Sequence, residues 1–436
     1  MNLKKISVIG LGKLGTPLAY FLASKGFTIY GYDKDKNITN KLDKGINPHV
    51  TENLIEFIKK YKKKVIISNN LSYVLKNTEI TFIILPTPSL KNGAFDNNYI
   101  VRTLNKIKSL IPNNRKYHLI NITSTVMPES NNKIFSKLLK GVNCKFGLVY
   151  NPHFIALGSV LKNMQNPDLL LIGADEKKAK DLINKIYFKV YKKKKNYSFF
   201  RNLTLYEAEV AKIALNCYLT MKISFSNFIS NIIQTSKVNS DAEKILEAIS
   251  NDERIGKKYL SIGSKYSGPC FPRDNVAIKK YCKTIGSSFY LPDASDKENK
   301  IQIKRYMTFL KKIISKYKIK SKKVGIIGLS YKSNTDVVDE SPGIELIKNL
   351  NKKFKISYFD PYVKKIKINN CKQNSNIKTL LKTNDIFFLC YPDKKFRITK
   401  NMIKSSRKKY IIDLWNFYTS NLGENYKIFN PGKSIK

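Results

Sequence analysis

Residues 267–275 read SGPCFPRDN: one cysteine, Cys270, stands between Pro269 and Pro272, with Arg273 and Asp274 three and four positions further on. The prolines fix backbone dihedrals and remove hydrogen-bond donors, so this is a stiff loop rather than the interior of a helix or strand. A thiol held this way beside charges is either a small apolar side chain packed in a turn or a positioned nucleophile. A second set of such residues opens the chain. GLGKLG, with Gly10, Gly12 and Gly15, directly follows the apolar run ISVI, and Asp33 closes the next apolar run. In that setting the glycines allow a tight turn and close approach of a pyrophosphate to a helix N-terminus. The acid accepts hydrogen bonds from the adenosine ribose and repels a phosphate there, which favours NAD over NADP; Lys34 beside it weakens that preference slightly. The alternative is a glycine-tight strand turn with no ligand. A third pair, Lys212 and Asn216, is four apart in a helical pattern and shares one side of it. Taken alone, such a pair ordinarily faces solvent.

These residues need elements to position them. The first 120 residues alternate apolar runs with helical patterns: ISVIG, TPLAYFLASKG, TIYGYD, ITFIILPTP and HLINITS. That alternation specifies a parallel sheet with helices on both faces. From about 203 to 236 a helical pattern runs without Gly or Pro, with Thr204 as its cap and Glu207 closing a capping box. It is long enough to bridge two domains or to form a dimer seam. After about residue 318 the alternation restarts. KKVGIIGLSYKSNTD reads as strand, glycine turn and polar loop, SPGIELIKNL as a helix, and ISYFDPYV, DIFFLCYP and YIIDLWN as strands. Gly325 and Gly328 lack the full dinucleotide spacing, so this second doubly wound domain is not expected to hold a second NAD. The Lys-rich stretch KRYMTFLKKIISKYKIKSKK links it to the helical middle.

The chain has 436 residues, 42% hydrophobic and 26% charged, enough for two or three domains with a buried core. No apolar run reaches the roughly 18 residues of a membrane span. The N-terminus enters a strand without a cleavage site, so a cytoplasmic protein is expected. Six scattered cysteines with no CxxC pair argue against a zinc site and a disulfide framework, and no metal is expected. The net charge of +48 raises nucleic-acid binding. Against it, only 8 of the 80 basic residues are arginine, and lysine is spread evenly beside Asn and Ile. An AT-rich coding sequence explains this better than a binding groove. Such a field still attracts a phosphorylated substrate.

Taken in order, these pieces resemble the UDP-glucose/GDP-mannose dehydrogenase family. The resemblance covers nearly the whole chain: GLGKLG, LPTP at 85–88, STVMP at 124–128, YNPHF at 150–154, EAEVAKIALNCY at 207–218, DERIGKKYL at 252–260, GPCFPRD at 268–274 and GLSYKSNTDVVDESP at 328–342. It implies an α/β fold of two Rossmann-like doubly wound domains joined by a long central helix. The expected division is 1–200 for NAD, 201–300 for a helical, dimerising middle with the cysteine loop, and 318–436 for the UDP-sugar. It also implies oxidation of a nucleotide sugar's primary alcohol to a carboxylate by two equivalents of NAD, through an aldehyde and a cysteine thioester. Cys270 is then the nucleophile, Lys212 and Asn216 hold the developing oxyanion, Asp274 handles protons with the lysine, and Thr125 positions water or the substrate hydroxyl. Gly10, Gly12, Leu14, Gly15, Asp33, Pro86, Thr87 and Thr125 fall to the cofactor. His153, Phe154, Lys212, Asn216, Arg254, Lys258 and Lys332 fall to the substrate, Lys332 at the nucleotide phosphates.

The chain also departs from the family's usual pattern. NPHFIALG stands where many members read NPEFLREG, so His153 and Leu157 replace two glutamates, the second of them assigned to thioester hydrolysis. His153 titrates near neutrality as a free side chain and is either a substitute base or a structural residue. KYSGPC replaces a glycine-rich GFGGSC, placing Lys265 and Ser267 where glycines approach substrate. Val337 and Asp339 stand where an acid and an arginine are common. The reading is a dimeric, NAD-dependent UDP-glucose 6-dehydrogenase-like enzyme that forms a UDP-uronic acid for polysaccharide synthesis. UDP-N-acetylhexosamines and GDP-mannose follow as substrates. The rivals are a non-catalytic or incompletely oxidising relative, favoured by Leu157, and a nucleic-acid binder, favoured by charge alone.

Overall fold

The computed structural model describes residues 3–435 except 50–52, 143, 156, 193, 195, 237, 351–352, 364–365, 367, 400–401, 403–406 and 420–421. It divides into two compact units, Met1–Ala214 and Leu215–Lys436. Among the described residues no helix is long and apolar enough to cross a membrane.

In the first unit the strands are β1 (Lys5–Ile9), β2 (Thr28–Tyr32), β3 (Val65–Ser68), β4 (Ile80–Ile83), β5 (Tyr117–Ile122), β6 (Lys145–Tyr150), β7 (Leu170–Gly173) and β8 (Phe200–Leu203). Their order is β3-β2-β1-β4-β5-β6-β7-β8. The first six are parallel; β7 meets β6 antiparallel through one pair, Tyr150 and Gly173. Side chains of both faces are buried, as a sheet covered on two sides requires. Ile6, Val8, Ile80 and Phe82 feed one cluster, while Ile9, Ile83, Ile120 and Ile122 feed another. Strand order reverses between β1 and β4, which opens a crevice at their carboxyl ends. GLGKLG, LPTP and STVMP follow β1, β4 and β5, so three separate motifs line that one edge.

The second unit holds a six-stranded, fully parallel sheet of β9 (Lys323–Ile327), β10 (Lys355–Phe359), β11 (Cys371–Gln373), β12 (Ile386–Leu389), β13 (Lys409–Asp413) and β14 (Tyr426–Phe429), ordered β11-β10-β9-β12-β13-β14. Helices Ala242–Ser250, Phe271–Thr284 and Tyr290–Lys316 belong to the same unit. The Lys-rich stretch expected as a link is instead the second half of the last of these. Its Tyr306, Phe309, Leu310 and Ile313 join the core of the second sheet, while its lysines face outward. Ala242 N–H donates to Gly432 O, and Asp241 bridges Lys433, which ties the helical part to the chain end.

The long helix runs Leu205–Thr235, and its capping box forms as the sequence predicts: Thr204 N–H donates to Glu207 Oε2 (2.7 Å) and Glu207 N–H to Thr204 Oγ1 (3.2 Å).

Candidate active site

The fingerprint loop separates its glycines by physical role. Gly10 has φ +93°, and a Cβ there would lie 2.1 Å from Ile84 O. A Cβ on Gly15 would lie 1.7 Å from Gly10 O, so the helix Gly15–Ser24 docks on the turn only without a side chain. Gly12 is different: a Cβ would meet nothing within 4 Å. The protein's own packing gives no reason for glycine there, whereas a pyrophosphate seated on the helix N-terminus does. This is the fit expected of NAD. Asp33 Oδ2 accepts from Leu11 N–H (2.8 Å) and its Oδ1 from Asp35 N–H (2.9 Å), which aims the carboxylate across the turn. Lys34 lies over the Tyr99 ring at 5.3 Å. Leu14 precedes the helix and packs against the core, so its contribution to the site is shape. His49, absent from the sequence reading, lies with Nε2 2.8 Å from Leu11 O, a contact only a protonated ring nitrogen satisfies.

At the ends of β4 and β5 two loops are tied together. Thr87 Oγ1 donates to Thr125 O (2.7 Å), and the Ser124 hydroxyl joins both Leu85 N and Leu85 O (2.8 Å each). Pro86 is exposed and Thr125 half-buried. Glu209, also missed from sequence, sets the far side of this loop. Fully buried, it accepts from Glu129 N–H (2.6 Å), Asn131 N–H (2.8 Å) and Asn131 Nδ2 (2.7 Å). Burial pushes its carboxyl up to about 7 against the pull of those donors. The available signal was an acid three residues before Lys212, between the apolar Ala208 and Val210. Lys212 itself is buried, donates to His153 O (2.9 Å) and lies 4.4 Å over the Phe154 ring.

His153 corrects an expectation. Burial first, and the Lys212 charge next, hold its imidazole down at about 4, and Nε2 is buried with no hydrogen-bond partner. It is neutral at pH 7 and a poor proton acceptor, not a group titrating near neutrality. Leu157 packs against the core of the first unit.

In the second unit, Cys270 is exposed and caps the N-terminus of Phe271–Thr284, with Pro272 in the first turn. The partial positive charge at that end favours a thiolate. Asp274, one turn on and 2% exposed, accepts from Asn216 Nδ2 at 2.6 Å. Thus the expected cysteine, aspartate and asparagine share one small region. Lys212 lies one helical turn before Asn216 on the same long helix. Burial pushes the neighbouring Cys217 thiol up to about 12, which marks it as inert.

Lys332 belongs to the same region. Burial lowers its ammonium to about 8, partly offset by the Cys270 charge. Lys332 is protonated below that pH and neutral above it, so in the phosphate-holding role that the resemblance implies it would grip its ligand progressively less well as pH rises through about 8. The expected result is a KM for the nucleotide sugar that climbs above pH 8 in the wild type and stays flat in Lys332→Gln. Parallel profiles for the two proteins would remove Lys332 from the phosphate site. Arg254, by contrast, is taken up by Asp252 (Nη2 to Oδ2, 2.6 Å) with its side chain 88% exposed, and Lys258 is exposed in the same stretch.

The second glycine turn differs from the first in what its acid does. Asp360, at the end of β10, stands where Asp33 stands after β2. Its Oδ2 accepts from Leu329 N–H, Ser330 N–H and the Tyr391 hydroxyl, and its Oδ1 from Tyr362 and Val363 N–H, all at 2.7–2.9 Å. A carboxylate with five protein donors has no acceptor left for a ribose.

Comparison with known proteins fits this arrangement. Three models of the UDP-glucose/GDP-mannose dehydrogenase family match: the NAD binding domain at 4–191, the central domain at 206–300 and the UDP binding domain at 325–420. A UDP-glucose 6-dehydrogenase of Rickettsia bellii is 31% identical over 367 residues, covering 82% of this chain and 80% of its own. A GDP-mannose 6-dehydrogenase of Pseudomonas savastanoi pv. phaseolicola is 25% identical over 444 residues, covering 96% and 98%. The solved UDP-glucose dehydrogenase of Pyrobaculum islandicum superposes with a TM-score of 0.87 at 23% identity, covering 100% and 98%, which shows a shared fold. A dinucleotide crevice joined to these matches defines an NAD-binding oxidoreductase acting on nucleotide sugars. The chain belongs to the UDP-glucose/GDP-mannose dehydrogenase family.

Proposed function

We propose that the protein is an NAD-dependent nucleotide-sugar 6-dehydrogenase that carries its substrate from primary alcohol to carboxylate through a thioester on Cys270. UDP-glucose is the default substrate and UDP-glucuronate, a polysaccharide precursor, the product. UDP-N-acetylhexosamines and GDP-mannose stand next. The observation that carries the reading is the exposed Cys270 on a helix N-terminus beside buried Asp274 and the Asn216 it holds.

Each step has a residue in this chain. The thiolate of Cys270 adds to the carbonyl carbon of the aldehyde, forming a C–S bond and a thiohemiacetal oxyanion. Asn216 and Lys212 stabilise that oxyanion. Removal of two electrons leaves the thioester, and water then breaks the C–S bond, giving the acid and the free thiol. Asp274 takes and returns protons, and Thr125 orients the hydroxyl or the water. Lys332 holds the phosphates. NAD supplies the electron acceptor for both oxidations. His153, held neutral, and the apolar Leu157 leave the hydrolytic step without the acidic base usual in the family, which favours a second reading in which the thioester forms and stalls.

The test is NADH formed per sugar consumed across a panel of UDP- and GDP-hexoses. Two per sugar supports complete oxidation. A single burst per subunit supports the stalled thioester. No NADH with any sugar, despite measured NAD binding, removes the enzyme reading.

A homodimer through the central helix is part of the proposal. Tyr218, Phe225 and Ile232 recur every seven residues and are 54%, 43% and 45% exposed, with Phe228 beside them at 44%. An apolar seam of that period is what a helix presents to a partner helix. Mass in solution at micromolar concentration should be that of two chains, and Phe225→Asp should halve it. A wild-type monomer would end this part of the reading.

A further inference from the structure

The cysteine loop carries a residue that neither motif nor chemistry has yet used. Lys265 and Tyr266 leave the loop in opposite directions. Tyr266 is buried on the helical side: its N–H donates to Asn299 Oδ1 (2.8 Å), its O accepts from Asn299 Nδ2 (3.0 Å) and its hydroxyl donates to Asp296 Oδ1 (2.5 Å). Lys265 goes the other way, into the loop and helix that follow β9. Its side chain is 4% exposed, and its ammonium pairs with Glu345 and, at 3.5 Å, with Glu340. Two further contacts fix the same junction. Gly268 N–H donates to Asp339 O (2.9 Å), and Gly268 lies flat on the Tyr331 ring, where a Cβ would fall 2.5 Å from Cδ2. Tyr331 and Lys332 are consecutive, so the segment gripping the loop also carries the proposed phosphate lysine.

We propose that Lys265 is a positioning residue: its buried ammonium, paired with the half-buried Glu345 and, at longer range, with the exposed Glu340, clamps the cysteine loop to the Tyr331–Lys332 segment, and this holds Cys270 at its helix N-terminus. The physical case is that a lysine buried this deeply persists only when paired, and Glu345, the nearer of its two partners, is the carboxylate that supplies the pair. With Lys265 anchored beside β9, Tyr266 anchored to the helices and Gly268 held by Asp339 O, the four residues from Ser267 to Cys270 have little freedom. Ser267, the other departure from a glycine-rich loop, lies inside that span. The role assigned to Cys270 rests on the proposed function; the clamp itself does not, because it acts on the thiol whatever the substrate.

The test therefore reads the thiol directly. Alkylation of the full-length protein by iodoacetamide is followed from pH 5 to 9, with Cys270→Ala as background. Burial pushes the thiols of Cys144, Cys217, Cys371 and Cys390 up, which keeps that background low. Lys265→Met should slow alkylation at pH 7 by about fivefold or more and move its midpoint upward, as a thiol freed from its helix end does. Lys265→Arg should restore the profile to within about threefold, since the guanidinium keeps the charge and the pair. Glu345→Gln should fall between. NAD affinity, read in the same samples, should be unchanged and serves as the folding control. If a sugar is turned over, kcat should fall about tenfold in Lys265→Met with KM for NAD unaltered. An unchanged alkylation profile in Lys265→Met overturns the clamp, as does an Arg variant no better than Met. If Lys265→Met does not fold, Glu345→Gln decides, and a wild-type profile there overturns it. A shifted profile without turnover on any sugar upholds the clamp while removing the proposed function.

Discussion

Cys270→Ala is expected to reduce acid formation from the nucleotide sugar by about a thousandfold or more, because in the proposed mechanism the second oxidation needs the covalent adduct that Cys270 forms. The variant should fold normally. Cys270 is exposed, so truncating its side chain removes little buried surface. NAD affinity should match the wild type, since Gly10, Gly12 and Asp33 are untouched. What remains is the first oxidation, so the variant should yield at most about one NADH per sugar, and aldehyde rather than acid in the product. Product analysis by mass spectrometry beside NADH absorbance separates the cases. Acid released at the wild-type rate would mean that no thioester lies on the path. Cys270 would then be a turn cysteine after all.

The second large effect concerns two glycines three positions apart. Gly12→Val should keep the fold, with Tm within about 2 °C of wild type, because the new side chain enters open space. It should nevertheless weaken NAD by about a hundredfold, roughly 2.7 kcal/mol, since that space is where the pyrophosphate must lie. Gly15→Val should do the reverse. Its Cβ would fall 1.7 Å from Gly10 O, a backbone atom that cannot swing away, and overpacking of this kind costs about 3 kcal/mol or more. Calorimetric titration with NAD and a thermal melt on both variants separate a ligand glycine from a packing glycine. If Gly12→Val binds NAD as the wild type does, the fingerprint is only a tight turn.

The strands and the crevice were legible because they depend on local chemistry. Alternating apolar runs produced β1, β2, β4 and β5, and Thr204 with Glu207 marked the start of the long helix. The stiff segment around Cys270 was legible only up to the cysteine: Phe271–Asn275, expected in a loop, open the helix Phe271–Thr284 instead, because proline is tolerated in a first turn, where its missing N–H would be unpaired anyway. What escaped notice depends on partners distant in sequence. The Lys-rich stretch before β9 read as a link because its lysines mask Tyr306, Phe309, Leu310 and Ile313, whose spacing turns one face to the second sheet. Glu209 drew no reading from the sequence, and only the fold shows it meeting the amides of Glu129 and Asn131, some 80 residues earlier. Lys265 looked like a lost glycine until Glu345, 80 positions on, supplied its partner. His153 kept its type but not its titration, because burial beside Lys212 is a property of the site rather than of histidine.

The five hydrogen bonds received by Asp360 bear on how the two sheets could ever exchange roles. A designer wishing to seat a second dinucleotide after β9 would be tempted to complete the glycine spacing around Gly325 and Gly328. That change would leave the carboxylate just as occupied. Turning Asp360 outward to meet a ribose would strand the amides of Leu329, Ser330 and Val363 and the Tyr391 hydroxyl, each a buried donor costing about 1–3 kcal/mol when unmatched, together with the half-buried amide of Tyr362. Two strand-turn-helix units of one topology have thus become chemically committed in different degrees, the acid of one taking two protein donors and that of the other five.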